Sequence, residues 1–323
     1  MMDNNKTNKK TSINVRAKLI KYVPIIGLVL VIVVFAALTK GKTVSSVNLK
    51  ILTNQVVLTA LVAIGAVFSF SCGAFDMSLG GSLCLSAIAG ALAGTKTNSL
   101  FVMILVTFLV SMTIALFKGI IAANLTLPIF IVTIIFSSFL SAIGLVLLGK
   151  ETTISLGKLV NIKSMTVINI TLLAGFYLLS LFLFNYTKIG KSMKLQGGNM
   201  KAANQSGINS KRNVIIAFAM SGLGVALAAI ITLLRTKTAT PTTGGSIGND
   251  ILVAIVLGGM PLSGGSNSKI SAAIIGAATI TILNNGLSVY GVSNDMIQIV
   301  RGVIFLGVVS ITALSYRTKL LPR

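Results

Sequence analysis

The sequence of 323 residues lacks histidine and tryptophan, and it contains only two cysteines and five acidic residues. The absence of histidine excludes catalysis by histidine, haem ligation through histidine and zinc sites that use it. Cys72 and Cys84 lie in or beside apolar segments, where cysteine is expected as a small core residue rather than in a disulfide or a metal site. The sequence also lacks the Gly-x-x-x-x-Gly-Lys-Ser/Thr phosphate-binding loop. It therefore predicts no enzyme, no metal site and no cofactor bound by this chain.

Charged residues make up 10% of the chain, whereas about a quarter is typical of a soluble domain. Hydrophobic residues make up 54%, and long runs almost without charge recur from one end to the other. This composition predicts an all-α, polytopic membrane protein. The net charge of +22 does not indicate nucleic-acid binding, because the positive charges fall in the loops between the apolar runs.

The apolar runs predict about ten transmembrane helices, with broken or re-entrant segments between some of them. A transmembrane domain at 23–315 is expected between a basic tail at 1–22 and a second tail at 316–323. The predicted spans are 23–39, 51–70, 82–94, 100–121, 128–148, 167–184, 214–234, 251–257, 270–287 and 296–314.

Ten spans place both termini on the same side of the membrane. If that side is the cytoplasm, 17 of the 27 lysines and arginines fall in inner segments and nine in outer segments, while Arg301 lies within the last span. Basic residues are enriched in cytoplasmic loops. The charge pattern therefore predicts cytoplasmic termini and a cytoplasmic loop at 185–213.

The 185–213 loop is the longest polar interval after the N-terminal tail, and it holds six positive charges and no acid. Gly197–Gly198 is expected to break the chain, Asn199 is a favourable N-cap, and Gly207 can end a helix in the left-handed conformation. The predicted helix, Met200–Ser206, is about 10 Å long and too short to be stable unless it docks on another surface. The alternative is an ordinary loop with a charge excess facing lipid.

Asp76 lies in a glycine-rich break between two apolar runs. A carboxylate at the centre of a spanning helix costs roughly 2.5–3.5 kcal/mol on insertion scales. The break reduces this cost, because glycines let the backbone turn and expose N–H groups that can solvate the acid. Asp76 and Ser78 then belong either to a pathway or gate in the membrane, or to a turn in which Asp76 caps the helix that begins near Met77 or Ser78.

A second glycine-rich break, Gly258–Gly265, follows the short eighth span. Asn284 and Asn285 place two carboxamides at the end of the ninth span. These groups either bind a polyol by hydrogen bonds or join neighbouring helices. Gly90 and Gly94 form a Gly-x-x-x-Gly pair, which predicts a closely packed helix face.

Five segments, in the same order, resemble motifs of bacterial ABC sugar permeases of the ribose type. The first, Gly-Ala-Phe-Asp-Met-Ser-Leu-Gly-Gly-Ser at 73–82, is similar to the family's Gly-Gly-x-Asp-Leu-Ser-Val-Gly motif. Each motif alone is weak, but together they extend over about residues 50–315. The other four segments lie at 127–133, 195–208, 256–265 and 283–287. The chain departs from the family pattern at Ala74, Phe75, Met200, Lys201 and Met260-Pro261.

The resemblance implies a pore-forming permease subunit in the bacterial cell (inner) membrane, in contact with lipid. It also implies three partners: an ABC ATPase that binds ATP, an extracytoplasmic solute-binding protein, and a second permease chain, identical or homologous. On this interpretation the 185–213 loop couples to the ATPase, and Asp76, Ser78, Asn284 and Asn285 belong to the substrate pathway. The expected coupling residues are Gly197, Gly198, Asn199, Met200, Ala202, Ala203, Ser206 and Gly207.

The main alternative is an ion-coupled secondary transporter. Such a protein needs ionisable residues within the membrane for coupling, and the sequence offers Asp76 and Arg301. An intramembrane enzyme is a more distant alternative, because histidine, a zinc ligand set and paired carboxylates are all missing.

Overall fold

The computed structural model describes residues 22–125, 127–157, 159–160, 165–245, 247–261 and 263–320, and for residues 308 and 311–320 it describes the backbone alone. The predicted basic tail up to residue 21 and the last three residues of the C-terminal tail lie outside the described residues. The described chain is predominantly helical, as predicted, with one short 3-10 helix, Lys42–Val44, and a two-strand ladder. The elements are α1 (Tyr22–Leu38), α2 (Ser46–Ser71), α3 (Leu79–Thr97), α4 (Leu100–Asn124), α5 (Ile129–Leu148), β1 (Ile154–Ser155), α6 (Met165–Tyr186), α7 (Lys188–Gly198), α8 (Met200–Gln205), α9 (Ser210–Thr236), β2 (Thr238–Ala239), α10 (Ile247–Leu257), α11 (Ile270–Tyr290) and α12 (Asn294–Leu320).

Seven helices in the described part of the chain are long and apolar enough to cross a membrane. These are α2, α3, α4, α5, α6, α9 and α11, whereas α1 and α10 are shorter apolar helices. The helical, polytopic class predicted from the sequence is therefore confirmed, but the number of ten spans is not.

Helix α10 is one of the broken segments that the sequence predicted. Its 11 residues extend over about 16 Å, which is about half of the hydrocarbon core of a bilayer. A Cβ atom added to Gly248, in the first turn of α10, would lie 2.8 Å from the carbonyl oxygen of Met77. Helix α10 thus begins directly beside the break that contains Asp76.

Helices α2, α3 and α9 form the core of the fold. Their apolar stretches are 67%, 72% and 72% buried, compared with 22% for α4 and α6. Small residues allow the close packing, because a Cβ atom on Gly224 would lie 2.5 Å from the carbonyl oxygen of Leu61, and one on Gly65 would lie 2.7 Å from that of Met220. Helices α4, α5 and α6 lie at the periphery and have many exposed apolar side chains.

The connection before α6 and the connection after α9 meet on one side of the molecule. Strands β1 and β2 pair antiparallel, with Ile154 opposite Ala239. Helix α6 has 22 residues and extends over about 33 Å, so α7 and α8 lie on the other side. This arrangement agrees with the predicted alternation of loops.

The start of the 185–213 loop differs from the sequence prediction. Gly197 and Gly198 do not break the chain, because α7 continues through both of them. The helix ends at Asn199, whose backbone is extended with φ −156° and ψ 104°. The same residue is the N-cap of α8, and its Oδ1 accepts a hydrogen bond from the N–H of Ala202 at 3.1 Å. The side-chain cap at Asn199 therefore positions the predicted short helix.

Candidate functional site

The segment between α2 and α3 holds Asp76 in a buried turn. The Asp76 side chain is 1% exposed, and its Oδ1 accepts hydrogen bonds from the backbone N–H of Ser78 at 2.9 Å and from the Ser78 hydroxyl at 2.5 Å. Helix α3 begins at Leu79 with Ser78 as its N-cap residue. Asp76 thus stabilises the turn that leads into α3.

Asp76 also forms an ion pair that the sequence did not reveal. Lys118, which was counted among the inner charges although it falls within the predicted span 100–121, lies within α4 and is 2% exposed. Its Nζ atom is 2.9 Å from Asp76 Oδ2 and donates to the hydroxyl oxygens of Ser78 at 2.6 Å and Ser82 at 2.9 Å. An ammonium group has three N–H donors, so the three partners satisfy it. The pair neutralises two charges that would each be costly in the membrane interior.

Thr133 attaches the same turn to α5. Its hydroxyl accepts from the N–H of Met77 at 3.1 Å and lies 3.1 Å from the carbonyl oxygen of Phe75. The turn is therefore held by α4 and α5 together. The signal for Lys118 was present in the sequence, because Lys118 interrupts an apolar run that continues to Asn124.

A polar cavity of about 310 Å³ lies between α2, α9, α10, α11 and α12. This volume is at the lower end of the range for small-molecule pockets. Two of the predicted pathway residues, Asn284 and Asn285, line the cavity, whereas Asp76 and Ser78 do not. The lining residues are Gln55, Leu58, Thr59, Arg235, Ile247, Asp250, Thr281, Asn284, Asn285, Ser288, Asn294, Ile297 and Arg301.

Asn285 forms a contact between helices while it also borders the cavity. Asn48 Nδ2 donates to Asn285 Oδ1 at 2.8 Å, and Asn285 Nδ2 donates to Asn48 Oδ1 at 3.2 Å. Asn285 thereby joins α11 to the start of α2. Asn284, by contrast, has a buried Oδ1 atom for which the described residues supply no hydrogen-bond partner.

A second ion pair joins α10 to α12 in the lining of the cavity. Nη1 of Arg301 donates to Oδ1 of Asp250, and the two side chains are 14% and 12% exposed. The sequence placed Arg301 within the last span but assigned no partner to it. Asp250 lay in a loop before the predicted eighth span, and the helix that carries it starts four residues earlier than predicted.

The two glycine-rich breaks and the 185–213 loop converge at the end of α2, and we call this place the glycine junction. It is formed by Ser71, Gly197, Gly264 and Gly265. The N–H of Gly265 donates to the carbonyl oxygen of Ser71 at 3.1 Å. An added Cβ atom on Gly197 would lie 1.9 Å from the same oxygen, and one on Gly264 would lie 2.3 Å from the carbonyl oxygen of Phe70. Glycine is required there because backbones approach each other without room for a side chain.

Helix α7 is anchored to the body of the protein. Gln196 is buried and accepts a hydrogen bond from Asn213 Nδ2 at 2.9 Å, while the Ser192 hydroxyl donates to Asn213 Oδ1 at 2.9 Å. Lys194 Nζ lies 4.3 Å from the centroid of the Phe184 ring, and partial burial lowers the pKa of this lysine. These contacts join α7 to the start of α9 and to the end of α6.

The residues of α8 divide into an outer and an inner set. Met200 is 56% exposed and Ala202 is also exposed, whereas Ala203 is 4% exposed. The N–H of Ile208 donates to the carbonyl oxygen of Ala203 at 3.1 Å, and Gly207 has a positive φ of 79°. The predicted left-handed end of the helix is confirmed. Of the two alanines, only Ala202 has an exposed side chain.

A family model described as branched-chain amino acid transport system / permease component matches residues 48–309. The chain is 29% identical to the ribose import permease protein of Escherichia coli K12 over 274 residues, which cover 80% of this chain and 83% of that protein. The corresponding protein of Bacillus subtilis is 29% identical over 293 residues, with 88% and 89% covered. A xylose transport system permease protein of Haemophilus influenzae is 27% identical over 352 residues, with 88% and 94% covered. No solved structure matches the chain.

Proposed function

Because the chain belongs to the family of branched-chain amino acid transport system permease components, we propose that it forms the translocation pathway of an ABC importer for a monosaccharide or a related small polyol. The observation that carries this proposal is the polar cavity between α2, α9, α10, α11 and α12. The relatives named for ribose and xylose import support a sugar as the substrate.

The lining of the cavity has the chemistry that a sugar requires. Carboxamides and hydroxyls both donate and accept hydrogen bonds, and the cavity is lined by Asn284, Asn285, Thr59 and Thr281 among others. The Thr281 hydroxyl lies 3.3 Å from that of Thr59, so two helices present hydroxyl groups at one place. Leu58 and Ile297 add apolar surface for the C–H faces of a ring.

Coupling to ATP hydrolysis depends on a partner ATPase that docks on the exposed side of α8. Met200 is a flexible apolar side chain that can fill a groove, and the small Ala202 allows close approach. The glycine junction connects α7, which precedes this docking site, to the end of α2 and to the glycine-rich break that follows α10. Rigid-body motion of α7 and α8 is thereby passed to two helices that line the cavity.

The proposed orientation places α7, α8 and both termini in the cytoplasm, with a second permease chain completing the pathway. A solute-binding protein would deliver the sugar to the side on which β1 and β2 lie. The positive-inside bias supports this orientation.

Uptake of labelled ribose and xylose into proteoliposomes tests the proposal. The permease is reconstituted with its ATPase and the solute-binding protein, and uptake is compared with ATP, without ATP and without the ATPase. We expect uptake only in the complete, ATP-loaded system. Uptake that needs no ATPase and follows an ion gradient would instead identify an ion-coupled secondary transporter.

A further inference from the structure

Two buried polar atoms that belong to residues lining the cavity lack hydrogen-bond partners among the described residues. One is the acceptor Oδ1 of Asn284 on α11, and the other is the donor Nε of Arg301 on α12. A buried polar atom without a partner typically costs about 1–3 kcal/mol. Buried polar groups are normally satisfied. Among the unpartnered buried atoms of the described residues, only these two belong to residues that border the cavity, where a partner can be received.

Another part of the Arg301 guanidinium is already engaged. Its Nη1 atom donates to Asp250 Oδ1, so the pair neutralises the charge and fixes the guanidinium between α10 and α12. An anion would have to compete with Asp250 for the guanidinium, and a cation would be repelled by the guanidinium. A neutral ligand does not disturb the ion pair.

We propose that Asn284 and Arg301 are specificity-determining residues that bind hydroxyl groups of a neutral polyol, with Arg301 Nε as donor and Asn284 as acceptor. A hydroxyl is both a donor and an acceptor, so it can form a hydrogen bond with either atom. At Asn284 it can donate to the carboxamide oxygen or accept from the carboxamide nitrogen. This inference rests on the proposed function and names the chemistry by which the cavity selects its ligand.

Two conservative variants separate the hydrogen bonds from the packing. Arg301→Lys retains a cation opposite Asp250 but lacks the Nε donor. Asn284→Leu retains nearly the same shape but lacks both polar atoms. Each variant is reconstituted with the ATPase and the binding protein, and uptake of ribose, xylose and their monodeoxy analogues is measured at saturating ATP.

We expect each variant to lower the maximal uptake rate about tenfold, in line with the loss of one hydrogen bond to a buried group. The binding-protein concentration that gives half-maximal uptake should stay unchanged, because Asn284 and Arg301 are not exposed at the surface of the permease. The analogue that lacks the recognised hydroxyl should be transported slowly by the unmodified protein, and the variants should slow it no further.

Two further serines provide the matched control. Ser180 and Ser221 also have buried hydroxyls without partners among the described residues, but they do not line the cavity. Ser180→Ala and Ser221→Ala should retain the unmodified rate.

The outcomes distinguish the two proposals. If the unmodified complex transports no sugar at all, the proposed function fails. If it transports sugar and both variants, confirmed as folded by their melting temperatures, keep the full rate and the same analogue preference, then water alone fills the cavity at these atoms and the inference is overturned.

Discussion

Gly197 at the end of α7 lies directly against the carbonyl oxygen of Ser71 at the end of α2, so closely that an added Cβ atom would be 1.9 Å from that oxygen. A Cβ atom added to the neighbouring Gly198 would meet nothing within 4 Å. One glycine of the pair is therefore required by a backbone contact, while the other is not. The contact joins α7, the helix that precedes α8, to α2, which lines the cavity.

Gly197→Ala should destabilise the permease, whereas Gly198→Ala should not. The methyl group at residue 197 meets backbone atoms that have no freedom to move aside, and overpacking of this kind typically costs about 1–3 kcal/mol. Thermal unfolding of the detergent-purified variants can be followed with a thiol-reactive fluorophore, because Cys72 and Cys84 are both free and buried. Equal melting temperatures for the two variants would contradict the close backbone contact of Gly197 at the glycine junction.

Asp76→Asn should lower the stability of the permease by about 3–5 kcal/mol, because it leaves the Lys118 ammonium buried without its counter-charge. The double variant Asp76→Asn/Lys118→Met removes both charges and should regain most of the loss. The same unfolding assay measures both effects. An Asp76→Asn protein as stable as the double variant would show that the ion pair has no role in holding the turn.

Ala202→Trp should abolish association with the ATPase without lowering the melting temperature of the permease alone. Ala203→Trp should lower that melting temperature, because Ala203 is buried within the chain. Co-purification of the ATPase and substrate-stimulated ATP hydrolysis report on the first effect. Lys191→Ala is the control, since an exposed charge contributes little. If Ala202→Trp retains full coupling, α8 is not the docking element.

A single cysteine at Lys191 should be labelled only from the cytoplasm, and one at Glu151 only from outside. Both positions are exposed, and the charge distribution assigns them to opposite faces. The native cysteines should react slowly with a membrane-impermeant maleimide because they are buried. Labelling of residue 191 from outside intact cells would show that the protein has the opposite orientation in the membrane.

Local features of the sequence predicted much of the fold. Apolar runs predicted the helices, and Asn199 and Gly207 predicted both ends of α8. These predictions succeeded because hydropathy and helix capping depend on residues close together in the chain. The prediction for Gly197–Gly198 was wrong because glycine is tolerated inside a helix when packing requires it.

The sequence by itself determined the class of this protein, since a helix that satisfies its own backbone hydrogen bonds is the solution for each long apolar run in lipid. Only the tertiary structure decided the partners of its polar residues. Lys118 lies 42 residues from Asp76, and Arg301 lies 51 residues from Asp250. Such pairs depend on which helices pack together and at what rotation. The tertiary structure also places these polar groups at two different sites. The carboxamides of Asn284 and Asn285 and the Asp250–Arg301 pair line the cavity, whereas Asp76 stabilises a buried turn.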